Sequence, residues 1–471
     1  MKRRLRSEHS AIYRVTYETG GSAHLLVDML YGLSLRQRNT AKSWCAGITA
    51  FLFAVVAATA VASSDSAIRP LEDGCADCTA AFQKRLDIGG EVFLHAGTYV
   101  VSKPLSVKGG TSIIGEPGRT RIRMDGDDNV FNGAGRIKDG SLVRESGFTF
   151  RNLVVEAKRR KKGRHAFALN SVENVLVECV ETIGLGGLAV GTIYKVNAWD
   201  KTPDPCATAG MVGDECLSSN IVVCSCHFDG GSRDAEMCGV RISFATDFEV
   251  RDCVAMNVKH GFQFWGGDSF HGRGGLLKND KRCKRVKVER CRAIQIKGGG
   301  IWGSMVEDFL VTNCTAQLCA DVGIDFEGSH RCEAIDCTVL DCNNGNYATF
   351  MYCLGDVAFR RCTSILDQAG VCHYFNSNST LRSAEQHVLF EDCRFTSTKP
   401  TIVRVQSALA EFKFIGNKCT NVLLDTRATN MGRVICERNT FDGARVNLEE
   451  VICPNNKPGA PKGDRGPRHL K

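Results

Sequence analysis

Nine small or polar residues recur down this chain at a nearly fixed interval: Cys226, Cys253, Cys291, Cys314, Cys337, Cys362, Cys393, Asn417 and Asn439. The successive spacings are 27, 38, 23, 23, 25, 31, 24 and 22. Five positions before each stand Ile221, Phe248, Val286, Phe309, Cys332, Val357, Val388, Phe412 and Val434. Three before stand Val223, Val250, Val288, Val311, Ala334, Phe359, Phe390, Phe414 and Cys436. Apolar residues two apart, followed by a turn residue, describe a half-buried strand that ends at a fixed bend. A unit of 22–25 residues cannot bury its own apolar side. Each copy has to lie against the next, which constrains the chain to a solenoid of stacked rungs. Cys and Asn suit the bend because a file of identical small polar groups can hydrogen-bond along the stack. Leucine-rich repeats share this period, but their Leu/Asn consensus and helical segment are missing.

The longer intervals locate insertions at 194–217, 266–283 and 376–386. Loops inserted on one side of a solenoid commonly wall a groove. Gly is plentiful at 48 and Pro scarce at 10, as expected for short strands joined by tight turns.

The net charge of +8 is concentrated at the two ends of the chain. Residues 1–62 carry eight Lys/Arg against three Asp/Glu, and residues 455–471 carry five against one. The body between them is close to neutral, which argues against a nucleic-acid partner. One basic run, Lys158–Arg164, is either a solvated turn or a clamp for an anionic polymer.

Residues 46–62 are apolar or small, with Lys42 ahead of them and Ala60-Val61-Ala62 before Ser63. This is the pattern of a cleaved export signal, so a secreted or periplasmic location is expected. The long preceding segment points to a start at Met29. The alternative is an uncleaved anchor at 45–62, for which the run is short and alanine-rich. The chain carries 24 Cys. Most recur at one repeat position and are expected to be buried thiols. Bridges are expected at Cys206–Cys216 and Cys75–Cys78. Cys75-x-x-Cys78 lacks the second ligand pair of a zinc site, and no other metal motif stands out.

Before the repeats, Asp77 can cap a short helix whose apolar side is Ala81, Phe82 and Leu86, with Gly89-Gly90 to stop it. Strands follow at 92–94, 99–101, 111–115 and 121–124. With its capping helix and its His95-Ala96-Gly97-Thr98-Tyr99 turn, the stretch 73–118 resembles the pectate-lyase-like superfamily. Members usually have Asp-Asp-Thr where this chain has Asp77-Cys78-Thr79. The resemblance continues through the repeats to about residue 445. It implies an all-β fold, a right-handed parallel β-helix with a short N-terminal capping helix, and activity on polysaccharides. The chain is thus read as a targeting region at 1–62, one β-helix domain at 63–454 and an unstructured basic tail at 455–471. It is expected to be a monomer.

Nine residues past each anchor a second strand begins. Strand alternation puts Phe262, Ile301, Ile324, Tyr347 and Cys372 inward, with Phe264, Gly303, Phe326, Thr349 and Tyr374. The outward columns are then Gln263, Trp302, Asp325, Ala348, His373, Arg404, and Trp265, Ser304, Glu327, Phe350, Phe375, Gln406. An exposed aromatic strip beside two carboxylates suits a sugar polymer, whose apolar faces stack while its hydroxyls hydrogen-bond. Asp325 and Glu327, two apart on a strand, have Cα atoms about 6.5 Å apart. Paired carboxylates divide the acid and base roles in glycosidases, and the mutual repulsion of like charges raises one pKa. Asp325 and Glu327 are the expected acid–base pair, with His373 and Asp268 in support. Trp265, Trp302, Gln263, Arg241, His271, Arg404 and Phe350 are the expected substrate contacts. Plain solvated strand residues are the alternative for the carboxylates, and a structural role is the alternative for His373 and His260.

Hydrolysis of a polysaccharide is the favoured reaction, with no cofactor. A polysaccharide lyase is the second reading. It would use Arg241, Lys259 or Arg404 as base, with Ca²⁺ on the acidic pair, on a uronate-containing glycan. A glycan-binding surface protein without activity is the third.

Overall fold

The computed structural model describes residues 77–157, 163–193, 217–232, 236–266, 283–350, 355–368, 371–377, 386–406, 409–426, 432–443, 446–447 and 457–458. All belong to the unit Ala67–Lys471. One rung shows how the repeat is built. A first strand, Cys283–Glu289, ends at Arg290 with a left-handed φ of 52°. Cys291 follows and turns inward. A short second strand, Arg292–Ile294, ends at Gln295, again left-handed at 55°. The third strand, Ile301–Ser304, closes the rung through Met305 at 53°. The next rung then begins at Val306–Thr312, paired in parallel with Cys283–Glu289. Three parallel ladders result, one for each side of the rung. Among the described residues the exception is a hairpin of Arg136–Lys138 and Ser141–Val143, which pair antiparallel.

The left-handed bends are placed by their residue types. Asn and Asp tolerate this conformation better than other non-glycine residues, and Asp252, Asn313, Asp336 and Asp392 occupy the bend before the anchor. Two arginines at this bend each reach back one rung to an Asp. Arg290 grips Asp252 at 2.7 and 2.9 Å, and Arg361 grips Asp336 at 2.8 and 2.9 Å. These forked pairs lie on the surface, so each adds little stability and mainly orders the bend.

Inside the bend runs the file of anchors. Cys314 Sγ faces the carbonyls of Val288 (3.6 Å) and Thr312 (3.2 Å) as donor. Cys362 likewise faces Ala334 (3.3 Å) and Arg360 (3.4 Å). Asn417 does the same work with an amide. Its Nδ2 donates to the Phe390 carbonyl (3.0 Å), and its Oδ1 accepts the Cys393 N–H (2.8 Å). All the described Cys are free thiols, and most are buried, Cys179 and Cys372 being the exceptions. Cys78 is a free thiol that donates to the Val100 carbonyl, and Cys75, its expected partner, lies outside the described residues. Cys206 and Cys216 lie outside the described residues, as do Lys158–Lys162 and the 1–62 region. Arg164, from the end of the basic run, pairs with Asp128 at 3.7 Å.

The one described helix, α1 (Thr79–Ile88), closes the N-terminal end of the stack. Its Phe82 packs against Tyr99 and Phe131 at ring distances of 6.3 and 6.0 Å, and Leu86 is buried beside it. Ala81, expected on this apolar side, is instead exposed. Asp77 Oδ1 accepts the Thr79 N–H (2.9 Å), and Gly89 and Gly90 end the helix with φ of 76° and 73°. Among the described residues no helix is long and apolar enough to cross a membrane.

In the third ladder the expected alternation holds through Phe350 and then slips. Tyr347 is in register with Tyr374, not with Cys372. Between this strand, Cys372–Ser377, and the next one a β-bulge falls at 372–374, which makes His373 an inserted residue. His373 therefore points into the core and is absent from the outward column. Its Nδ1 bonds Ser364 Oγ (2.7 Å), its Nε2 bonds Thr401 Oγ1 (2.8 Å), and its ring meets Phe395 edge-on at 5.6 Å. Burial pulls its pKa down to about 3.

Two outcomes follow from these core groups. Asn417→Ala leaves the buried Cys393 N–H without its side-chain acceptor and takes a donor from the Phe390 carbonyl, and should cost about 1–3 kcal/mol. Asn417→Cys should recover part of the loss. Urea unfolding of the two variants reads this directly, and equal midpoints for Ala and wild type would remove the ladder's claimed role. For His373, the unfolded chain takes up a proton below pH ~6.5 while the folded chain resists it down to about pH 3. Its contribution to stability is therefore complete above that window and is lost as pH falls through it, by about 1.4 kcal/mol per pH unit at most. His373→Gln should flatten the acid limb of a plot of Tm against pH.

Candidate functional site

The outward face of the third ladder is a set of columns fixed by strand register. One column runs Arg241, Gln263, Trp302, Asp325, Ala348, Phe375 and Arg404. The next runs Ser243, Trp265, Ser304, Glu327 and Phe350. Parallel in-register stacking holds successive members about 4.8 Å apart. Tyr374 lies 12 residues past Cys362 where Tyr347 lies 10 past Cys337, and this longer connection puts Phe375 in the first column, two rungs on from Asp325.

A cavity of about 390 Å³ opens on this face. Its walls carry Asp321, Asp325 and Glu327 together with Trp302, Phe350 and Phe375. Asp325 is 8% exposed, and its Oδ1 has no hydrogen-bond partner. Burial, then the neighbouring Glu327 and Asp321 charges, push its carboxyl well above the usual carboxylate range. Glu327 is held differently: its Oε2 accepts the Trp302 indole N–H at 2.8 Å. Trp302 itself lies against His260, rings 5.0 Å apart. Nδ1 of His260 accepts the Gly299 N–H (3.1 Å), and burial with the Lys259 and Arg241 charges lowers its pKa to about 4. An uncharged imidazole thus backs the indole that orients Glu327. Phe350 and Phe375 meet edge to face at 5.6 Å on the far side.

Asp321 is absent from the residues picked by strand alternation. It precedes the strand Val322–Glu327, in a bend where alternation makes no statement. Asn344 Nδ2 fixes its Oδ1 at 2.7 Å. The signal within reach was its position one residue ahead of a strand whose outer face is acidic.

The other expected residues divide. Trp265 and Arg241 line a second cavity of about 310 Å³ on the same face, with Ser243, Asn170 and Phe244. Gln263 is nearly buried, and its Oε1 accepts the Cys238 thiol (3.2 Å), which makes it a packing residue. Lys259 pairs with Glu236 at 3.5 Å. Arg404 stands beyond Phe375, with Asp425 in register on its other side. Asp268 and His271 lie outside the described residues. Among the described residues no group of three or more His, Cys, Asp or Glu is placed to hold a metal ion.

Comparison with known proteins bears on the fold. A family model described as the right handed beta helix region matches residues 270–385. Among curated proteins none matches the chain by sequence. Among solved structures, the Agl-KA catalytic domain superposes with a TM-score of 0.52 at 10% identity, covering 83% of this chain and 69% of that one. The catalytic unit of the GH87 alpha-1,3-glucanase from Streptomyces thermodiastaticus strain HF3-3 gives 0.52 at 12% identity, covering 86% and 71%. The A-module of the Azotobacter vinelandii mannuronan C-5 epimerase AlgE4 gives 0.41 at 15%, covering 82% and 98%. Identities this low speak for the fold alone. Three parallel ladders, a rung of three strands and the family match agree on one architecture: this chain is a right-handed parallel β-helix protein.

Proposed function

We propose that the chain is a glycoside hydrolase that cleaves a polysaccharide lying across the rungs of the third ladder. The observation that carries this is Asp325: a buried carboxyl with a free oxygen, facing a cavity, between two further carboxylates. A carboxyl kept protonated near neutral pH is a general acid. It can pass its proton to the oxygen of a glycosidic bond as that bond breaks. Glu327, oriented by Trp302, is the partner that activates water or attacks the sugar from the opposite side. The charge of Asp321 helps Asp325 to retain its proton. Trp302, Phe350 and Phe375 offer apolar faces on which sugar rings stack. The likeness to a glucan-cleaving catalytic unit is consistent with this use of the fold. The segment 46–62 supports an exported enzyme acting on an extracellular polymer. The lyase reading calls for a Lys or Arg at the cavity, to take the proton in its neutral form or to offset the uronate charge, and the described lining contains neither. This favours hydrolysis over the lyase reading.

Asp325→Asn and Glu327→Gln should each lower kcat by about 10²–10⁴ with the fold intact. Full turnover in both variants on a broad glycan panel would end the hydrolase reading. Trp302→Phe keeps the ring and removes the N–H, so it should lower kcat while KM changes little. A rise in ultraviolet absorbance from an unsaturated uronate product would instead mark elimination.

Asp325 also makes a prediction on stability. Its folded-state pKa is raised, so above the unfolded value of about 3.8 the folded chain holds a proton that the unfolded chain releases. Stability is therefore lost as pH rises through that window. Asp325→Asn is neutral at every pH and should melt higher than wild type at pH 7, with the gap closing toward pH 4. A lower melting point for Asp325→Asn at pH 7 would contradict the buried, protonated state.

A further inference from the structure

The two cavities on the third ladder have opposite electrical character. The described lining of the 390 Å³ cavity holds three carboxylates and no Lys or Arg. The described lining of the 310 Å³ cavity holds one guanidinium, Arg241, and no carboxylate. They share one face: Arg241 is three register steps from Asp325 in the same column, about 14 Å along the stack.

Arg241 differs from most arginines of the rungs. Arg285, Arg290, Arg331, Arg360 and Arg361 all grip an acid. Arg241 is exposed and makes no ion pair or hydrogen bond among the described residues. Its charge is felt inward, where it helps to keep His165 and His260 unprotonated. Beside it, Ser243 is 4% exposed, and its Oγ is buried without a hydrogen-bond partner. A buried hydroxyl without a partner is costly and calls for a ligand atom. Trp265, braced edge-on by Phe244 at 5.1 Å, supplies an aromatic face to the same cavity.

We propose that the 310 Å³ cavity is a subsite for one anionic sugar of an otherwise neutral glycan, its carboxylate or sulfate held by Arg241 and Ser243 and its ring stacked on Trp265. The inference rests on the hydrolase reading above and names its substrate class. A neutral glucan leaves Arg241 and Ser243 unused. A fully charged polyuronate sets its carboxylates against Asp321 and Glu327, with no cation in that cavity's described lining to offset them. A heteroglycan whose charged residue lies a few sugars from the cleaved bond matches both cavities at once. Arg404, at the other end of the column, has Asp425 in the next rung and is the weaker anion site.

The test is binding, measured by calorimetry in the Asp325→Asn background so that cleavage is slow on the timescale of the titration. The probes are gellan oligosaccharides, with one uronate per repeat of otherwise neutral sugars, oligogalacturonate and maltooligosaccharide, matched in length. Gellan oligosaccharides should bind most tightly, with an affinity that falls as salt rises. Arg241→Gln should weaken them about tenfold and flatten the salt dependence, since a charge-assisted contact is lost. Ser243→Ala should weaken them less, and Arg404→Gln least. Binding of maltooligosaccharide should be unchanged by all three. Equal affinity for the neutral probe, tightest binding of oligogalacturonate, or no effect of Arg241→Gln would each overturn the proposal. The two readings fail separately. Loss of turnover in Asp325→Asn with a flat Arg241 series removes the subsite alone. An intact Arg241 series with full turnover in Asp325→Asn removes the hydrolase alone.

Discussion

In-register parallel pairing between rungs is the interaction on which everything else in this molecule depends. It sets a repeat of about 4.8 Å along the stack and forces side chains of equal rung position into columns. Each rung closes through left-handed bends, which cost energy at every non-glycine residue. The anchor file offsets that cost from inside, where a thiol or an amide gives the bend carbonyls a second donor beside their backbone N–H. Cys and Asn are interchangeable here because both are small and both donate. The surface Asp–Arg forks repeat the same logic on the outside with less energy at stake.

A rigid stack allows a costly group to be held in place. Asp325 sits between two other carboxylates, partly out of water, with one oxygen unbonded. A flexible loop would relax away from that arrangement. A strand paired on both sides cannot, so the penalty persists as a raised proton affinity. Trp302 links the two halves of the site, since the indole that presents a flat face also fixes Glu327. Behind it, His260 is kept uncharged by burial and by cations nearby, so the aromatic wall rests on packing and adds no charge to the cavity.

How much of this was readable in advance follows from what each residue obeys. The rung, its three apolar columns and the Cys/Asn file obey a period, and the period survives every insertion. The outward columns through Phe350 follow from alternation alone. At His373 alternation fails because a bulge inserts one residue, and nothing in the local pattern marks an inserted residue as such. Tyr374, with its hydroxyl bonded to Thr349, takes the core slot instead. Asp321 escaped because it lies in a bend, where position is set by Asn344 and not by period. Gln263 follows the outward rule and still ends nearly buried, since neighbouring rungs cover it. Ala81 is too small to decide which side of α1 faces the core.

The thiol file has a consequence for how the chain can be made. In-register cysteines such as Cys291, Cys314 and Cys337 stand about 4.8 Å apart at Cα, within the span that a disulfide bridges. Each sulfur can give its hydrogen to the carbonyl two residues back or to one in the preceding rung. Oxidation of a neighbouring pair would remove both S–H donors, and with them the second hydrogen bond that each carbonyl receives beside its backbone N–H. Before the rungs stack, the same sulfurs are exposed on an open chain and can couple in many wrong combinations. Once stacked, they are shielded, and burial pushes thiols such as Cys253 and Cys291 away from the reactive thiolate. Folding ahead of any oxidant is therefore a condition that the repeat itself imposes, wherever the protein finally works.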